Sequence, residues 1–294
     1  HDLLDLVFEV QDKGMTNNFR FGGAWNSETG PALMVSLTKS NVDMFDGADS
    51  FTDIFTDLEA GKAFHGAGQS LKVSAQPGLR YSSYSVSFTE PDLLGEHIDR
   101  LGLNVRTSKN VRYQMSHEAQ RILSGFTLSR RFGRNFSVFG GPSFGSVDLL
   151  DIDPGAPEGI TNFAGSNSYT ELVFGARRNT VLDNFSPVDG SMVSMSVSQT
   201  GGLLGGDWDF TKSNLKMAKH FDLWEDAESH LWVLSFKGAA MKAWLQGDMT
   251  MLPYSESFFQ GGYRTLRGFA FRGTNRDVDG FALPGSAAWN GSIE

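Results

Sequence analysis

The residues best placed to do chemistry lie in one stretch, PYSESFFQGGYRTLRGFAFRG, residues 253–273. It carries a Gly-Gly pair, Gly261-Gly262, followed four residues later by Leu266-Arg267-Gly268-Phe269. Glycine admits positive-φ and tight backbone that other residues resist, so the glycines let the chain aim Arg267. The chemistry on offer is ion pairing, and the plainer reading is a Gly-rich surface loop with a solvated arginine. The rest of the chain offers little catalysis. Six histidines occur, at 1, 65, 97, 117, 220 and 230. None forms HExxH, because His117-Glu118 has Arg121 where the second histidine belongs. No GxSxG stands at a strand-to-helix elbow, since GPSFG at 141–145 falls inside the expected strand 135–148; there is no P-loop and no GxGxxG after a strand. Ser229-His230 is a fragment of what a barrel-embedded hydrolase needs, and a solvated histidine explains it more simply. The carboxylates name no acid/base pair, so the chain reads as no enzyme, with no metal and no cofactor.

Composition narrows the classes further. The 294 residues hold 25 Lys plus Arg against 34 Asp plus Glu, a net charge of −9. A nucleic-acid partner needs a basic face, so this balance argues against one. The absence of cysteine excludes a disulfide framework and a cysteine metal site. No apolar run reaches the roughly 18 residues of a transmembrane helix. Mean hydropathy is −0.24, which fits a soluble protein and equally a membrane barrel with a polar interior. The chain opens at His1 without a basic-then-apolar leader and reads as a mature protein or an excised portion.

Period-two alternation dominates. In residues 81–88, Tyr84, Val86 and Phe88 oppose Ser83, Ser85 and Ser87. In residues 192–198, Val193, Met195 and Val197 oppose Ser194, Ser196 and Ser198. Successive strand side chains face opposite sides, so these segments build a two-faced sheet. Strands are expected near 18–27, 31–40, 69–77, 81–89, 97–107, 117–131, 135–148, 168–182, 190–199, 208–222 and 229–245. Periodicity alone fits a soluble sandwich, a lipocalin-like barrel or a transmembrane barrel. Length favours the membrane, since many of these segments exceed the usual five or six residues. So do aromatics near strand ends, which sit at membrane interfaces: Phe19, Trp25, Tyr81, Phe88, Phe132, Phe136, Trp208, Trp224 and Trp232.

Two regions depart from this pattern. Residues 1–12 hold one short alternating strand and end at a charged turn, Asp12-Lys13-Gly14. Residues 48–64 read as a helix, with Phe51, Ile54, Phe55 and Leu58 on one stripe and Ser50 and Asp53 as a capping pair. That helix either packs over a barrel rim or lies in the membrane interface, where its acidic polar face is unfavourable. Long loops are expected near 150–167 and 246–283. If the second folds into a lumen, Arg267 needs a carboxylate partner, because an unpaired enclosed charge is costly. Phe269 and Phe271 would then pack on the wall.

At this point the residues carry a resemblance. The segment Pro253-Tyr254-Ser255-Glu256-Ser257-Phe258-Phe259-Gln260-Gly261-Gly262, followed by Thr265-Leu266-Arg267-Gly268-Phe269, resembles the BamA family of outer-membrane barrel insertases. That family sets P-x-x-E-x-F-x-x-G-G ahead of V-R-G-F/Y, and here leucine replaces the valine. Residues 19–30 are similar to the family's first barrel strand and turn. Residues 4–12 are similar to the end of the last POTRA domain. Ser186-Pro187-Val188-Asp189-Gly190-Ser191 is similar to an F-P-x-D-G-S turn, with Ser186 departing from the aromatic.

The resemblance implies an all-β fold: a transmembrane antiparallel β-barrel over residues 14–294, preceded by the tail of a POTRA domain at 1–13. It implies about 11–12 of an expected sixteen strands, GSAAWNGSIE opening the twelfth, and so a portion of a longer protein. It sets Glu294 where the family has an inward carboxylate; an Arg267–Glu294 pair is one reading, a frayed terminal residue the other. It implies insertion and folding of other β-barrel proteins through a lateral seam at the first strand, carrying Phe19, Phe21, Gly22, Gly23 and Trp25. The two glycines there either weaken the strand or simply bend it at a barrel corner. Implied partners are unfolded outer-membrane proteins, accessory assembly subunits and outer-membrane lipid, with the N-terminus facing the periplasm. The rivals are a two-partner secretion transporter with the same arginine loop, a passive porin, and a soluble β-barrel binder.

Overall fold

The computed structural model describes residues 16–26, 29–43, 65–96, 98–114, 116–183, 185–226, 231–262, 265–276 and 280–294. The expected POTRA tail, the 48–64 helix and Ser229-His230 lie outside the described residues.

Twelve strands form one sheet. They are β1 (Thr16–Asn26), β2 (Gly30–Val42), β3 (His65–Gln76), β4 (Tyr81–Glu90), β5 (Leu101–Tyr113), β6 (Glu118–Phe132), β7 (Phe136–Leu150), β8 (Gly165–Asn179), β9 (Gly190–Gly201), β10 (Asp209–Glu225), β11 (Leu231–Leu245) and β12 (Ala287–Ile293). Each pairs antiparallel with its sequence neighbours, in the order β1 to β12. Among the described residues β1 and β12 do not pair with each other, so the sheet is not closed. The first eleven strands run 10 to 17 residues, enough for a tilted crossing of a bilayer, which takes about 9–11.

The two faces divide as the alternation requires. Val193, Met195 and Val197 of β9 are exposed on the outer face, while Ser198 is buried on the other. Ser74 of β3 and Ser85 of β4 meet across the inner face at 2.9 Å. An outer face of exposed Phe, Leu, Val and Met suits lipid, and a hydroxyl-rich inner face suits water.

The meander gathers the connections into two groups. One end carries 27–29, 77–80, 114–117, 151–164, 202–208 and 246–286. The other carries 43–64, 91–100, 133–135, 180–189 and 226–230. Exposed aromatics cluster at the second end, where Trp224 and Trp232 stack at 5.2 Å and Phe132 meets Phe136 at 6.1 Å. Trp208 and Tyr81 differ from the expectation for interface aromatics. Trp208 is 2% exposed and stacks on Tyr169 in the core, and Tyr81 donates to Asn110 Oδ1 on the inner face. Strand ends hold aromatics of both faces, and sequence position alone does not separate them.

β5 begins and ends later than the expected 97–107. Its second half, Arg106 to Asn110, is polar on both faces, so the alternation fades although the ladder to β4 and β6 continues. The core sits under the first group of connections, on the inner face. Val147, Leu149, Tyr169, Trp208, Phe210 and Ala243 bury there against Ile160, Leu252 and Tyr254. Ile160 comes from a single helical turn, Glu158–Thr161, in the β7–β8 connection.

Candidate functional site: the anchored loop between β11 and β12

The connection between β11 and β12 covers residues 246–286, slightly more than the expected 246–283. It folds back over the inner face because its apolar residues have somewhere to go. Leu252 and Tyr254 enter the core, and the Tyr254 hydroxyl donates to the Ala282 carbonyl at 3.1 Å. Pro253 precedes a 3-10 turn, Tyr254–Glu256, whose N–H of Glu256 returns to the Pro253 carbonyl at 2.9 Å. That turn aims Glu256 into the sheet.

Glu256 is the most enclosed charge of the loop, with 4% of its side chain exposed. Its Oε1 lies 2.8 Å from Arg121 Nη1 of β6 in an ion pair, and its Oε2 pairs with Lys212 Nζ of β10. Burial pushes this carboxyl up, but Lys212 and Arg121 outweigh burial and hold it below the usual range. The Arg121 guanidinium also lies 5.3 Å from the Tyr169 ring centre. Sequence reading placed Glu256 in the motif without a partner, and met Arg121 only as a missing metal ligand. The available signal was a long cationic side chain on the inward register of a strand, carried by both Arg121 and Lys212.

A second contact layer surrounds Tyr254. His117, in the β5–β6 connection, packs edge-on against its ring at 5.4 Å and bonds Ser116 Oγ at 2.8 Å. Burial, then the charge of Arg272, lowers the His117 pKa to about 4. Arg272 lies 4.0 Å over the Phe259 ring and donates to Gln114 Oε1 at 2.8 Å.

The loop tip holds the sequence-predicted residues. Gly261, Gly262 and Gly268 all have positive φ, at 108°, 98° and 88°. A Cβ on Gly261 would lie 2.5 Å from the Ala270 carbonyl oxygen, so two backbone segments cross there at a distance only glycine permits. The tip closes through Gly262 N–H to Phe269 O at 3.1 Å and Leu266 N–H to Gly262 O at 3.0 Å. Arg267 Nη2 lies 3.1 Å from Glu294 Oε1, and Lys237 Nζ of β11 lies 2.6 Å from the other carboxylate oxygen. Glu294 exchanges two backbone hydrogen bonds with Ser235 of β11, which fixes its place beside the sheet. The Arg267 side chain is 78% exposed, so this pair is open where that of Glu256 is enclosed. Phe269 is half exposed, and Phe271 lies 5.4 Å and 5.3 Å from the Arg112 and Arg272 guanidinium groups.

The first strand stands at the opposite edge of the sheet order from β12. Phe19, Phe21 and Trp25 are exposed at 67%, 69% and 75% on β1. A Cβ on Gly22 would meet nothing within 4 Å, so packing does not require glycine there. Among the described residues no group of His, Cys, Asp and Glu is arranged to hold a metal ion.

The fold matches the crystal structure of BamA from Haemophilus ducreyi lacking POTRA domains 1–3, with a TM-score of 0.73 at 19% sequence identity. The match covers 96% of this chain and 53% of that one, so the chain spans about half the length of the protein it matches. At that identity the likeness is one of fold. Residues 64–294, from β3 to the last residue, match the Omp85 superfamily domain. The chain belongs to the Omp85 superfamily.

Proposed function

We propose that this chain is the barrel portion of a factor that inserts and folds other β-barrel proteins in the outer membrane. The observation that carries the reading is the loop 246–286. It brings P-x-x-E, Gly-Gly and Leu-Arg-Gly-Phe together on the inner face of an Omp85 barrel, pinned at its base and tip by ion pairs. A loop so fixed holds the sheet in shape from within, and leaves strand edges to do the work.

The working edge is β1. An unpaired strand edge presents N–H and C=O groups that template an incoming strand. Gly22 and Gly23 add no side-chain packing to β1, which lowers the cost of separating it from a partner strand. The outward Phe19, Phe21 and Trp25 meet lipid beside it. In this orientation the end of the sheet that carries the start of β1 faces the periplasm, and accessory subunits and unfolded substrates approach from there.

The test is depletion of the intact protein in cells, followed by quantitation of outer-membrane barrel proteins. A general fall in folded barrels supports the reading. Unchanged barrels together with loss of one exported polypeptide would instead assign a secretion transporter.

A further inference from the structure

We infer that Glu256 is a positioning residue which braces the barrel wall, tying β6 to β10 through the base of the lumen loop. The inference rests on the docked-loop reading of function and adds a residue and a geometry to it. Arg121 stands on β6, where it pairs with Val147 of β7. Lys212 stands on β10, where it pairs with Ser198 of β9 and Ala243 of β11. Three strands separate β6 from β10 in the sheet. Four inter-strand spacings amount to roughly 19 Å along the sheet surface. One carboxylate nevertheless pairs with both cations, one at each oxygen. The hydrogen-bond ladder fixes neighbouring strands only, and leaves the curvature over several strands soft. A loop-borne carboxylate that reaches two strands so far apart sets that curvature directly.

The burial makes the brace stiff. Glu256, Lys212 and Arg121 have side chains 4%, 14% and 30% exposed. Removing one partner leaves buried charge uncompensated, which is far costlier than loss of a surface pair. Tyr254 and Leu252, beside Glu256 in the chain, lie in the core that β7, β8 and β10 share. Loop docking and wall curvature are therefore one event, and the carboxylate is where they meet.

Residues 1–294 hold no cysteine, so a single cysteine placed among them reports cleanly once any cysteine elsewhere in the intact protein is changed to serine. Leu252→Cys places a thiol at the buried loop base, and labelling by a maleimide measures undocking in the intact, membrane-embedded protein. In that background Glu256→Gln is expected to label about 100-fold faster, the scale set by breaking a buried ion pair. Spin labels at Ile122 of β6 and Met217 of β10, both exposed on the outer face, read the wall itself. Their distance distribution is expected to broaden in Glu256→Gln, while labels at Leu37 and Val73 on the neighbouring β2 and β3 keep theirs. Labelling at the parental rate, or an unchanged β6–β10 distance, overturns the inference. If Glu256→Gln gives no folded barrel, Lys212→Met removes one strut and leaves the Arg121 pair, and the same two readouts decide. Neither needs a barrel substrate, so failure of the insertase proposal in depleted cells is distinguishable from failure of the brace.

Discussion

Gly261 and Gly268 allow a controlled test of the loop tip. Both have positive φ, at 108° and 88°, so alanine at either is strained by about 1–3 kcal/mol. They differ in surroundings. A Cβ at 268 meets nothing within 4 Å. A Cβ at 261 would lie 2.5 Å from Ala270 O and 2.8 Å from Gly273 N, both backbone atoms that cannot rotate away. Relief requires the two segments to part, at an overpacking cost of about 1–3 kcal/mol. It also threatens the Gly262–Phe269 hydrogen bond, another ~1 kcal/mol. The difference between the variants is then about 2–4 kcal/mol, or roughly 30- to 700-fold in the population of opened tips at 1.4 kcal/mol per tenfold. Protease nicking within residues 246–286 of the membrane-embedded protein reads that population when opening and closing are fast relative to cleavage. Gly268→Ala should nick modestly faster than the parent, and Gly261→Ala faster again by that factor. Equal rates for the two variants would refute the close crossing at Gly261.

Three further outcomes follow from the same geometry. His117 has its pKa lowered to about 4 from 6.5, by burial first and Arg272 second, so the imidazole under the docked loop binds a proton less readily than one the loop has left. Docking is then strongest above about pH 6.5, weakens as pH falls towards 4 by at most about 3 kcal/mol, and is flat below; His117→Gln should remove that slope from the nicking rate, and a slope that persists would refute it. Arg267→Ala should change nicking by less than about fivefold, since the pair is open and Glu294 keeps Lys237 at 2.6 Å; a rise of 100-fold would mean that the arginine is enclosed. Phe210→Ala should destabilise the barrel by about 3–5 kcal/mol, because the ring is fully buried beside Trp208; a loss under about 1 kcal/mol in heat-induced mobility shift would contradict the core assignment.

The fold was legible in the sequence wherever the two faces differ chemically. β9 shows this best: Val, Met, Val against Ser, Ser, Ser names both faces and the strand between them. β5 was misplaced by several residues because Arg106 to Asn110 is polar on both sides, and the hydrogen bonds that hold it belong to β4 and β6. The site was legible where backbone chemistry leaves a residue-type signature, as at Gly261 and Gly268. It was not legible where partners come from distant strands. Nothing local links Glu256 to Arg121 or Lys212, which stand 135 and 44 positions away and meet it only when the sheet curves. Trp208 shows the converse: a tryptophan at a strand end looks like an interface anchor until Tyr169 is stacked on it.

The two ends of the loop are held by interactions of different kinds. At the base a carboxylate is enclosed, doubly paired and flanked by buried aromatics. At the tip an arginine reaches a carboxylate that a lysine already holds, in a setting open to solvent. Exposed pairs are weak and screened by salt, whereas enclosed pairs are screened much less and leave a costly uncompensated charge when one partner departs. The tip contact can therefore exchange while the base stays docked, and the curvature that β6 and β10 share survives such exchange. Glu294 also pairs with Ser235 through its backbone, so the tip contact falls where β12 lies against β11. A rearrangement that reaches the sheet through Arg267 acts first on β12, and one that reaches it through Glu256 acts on the middle of the wall. The sheet thus carries one stiff brace and one loose contact, and the loose one adjoins β12.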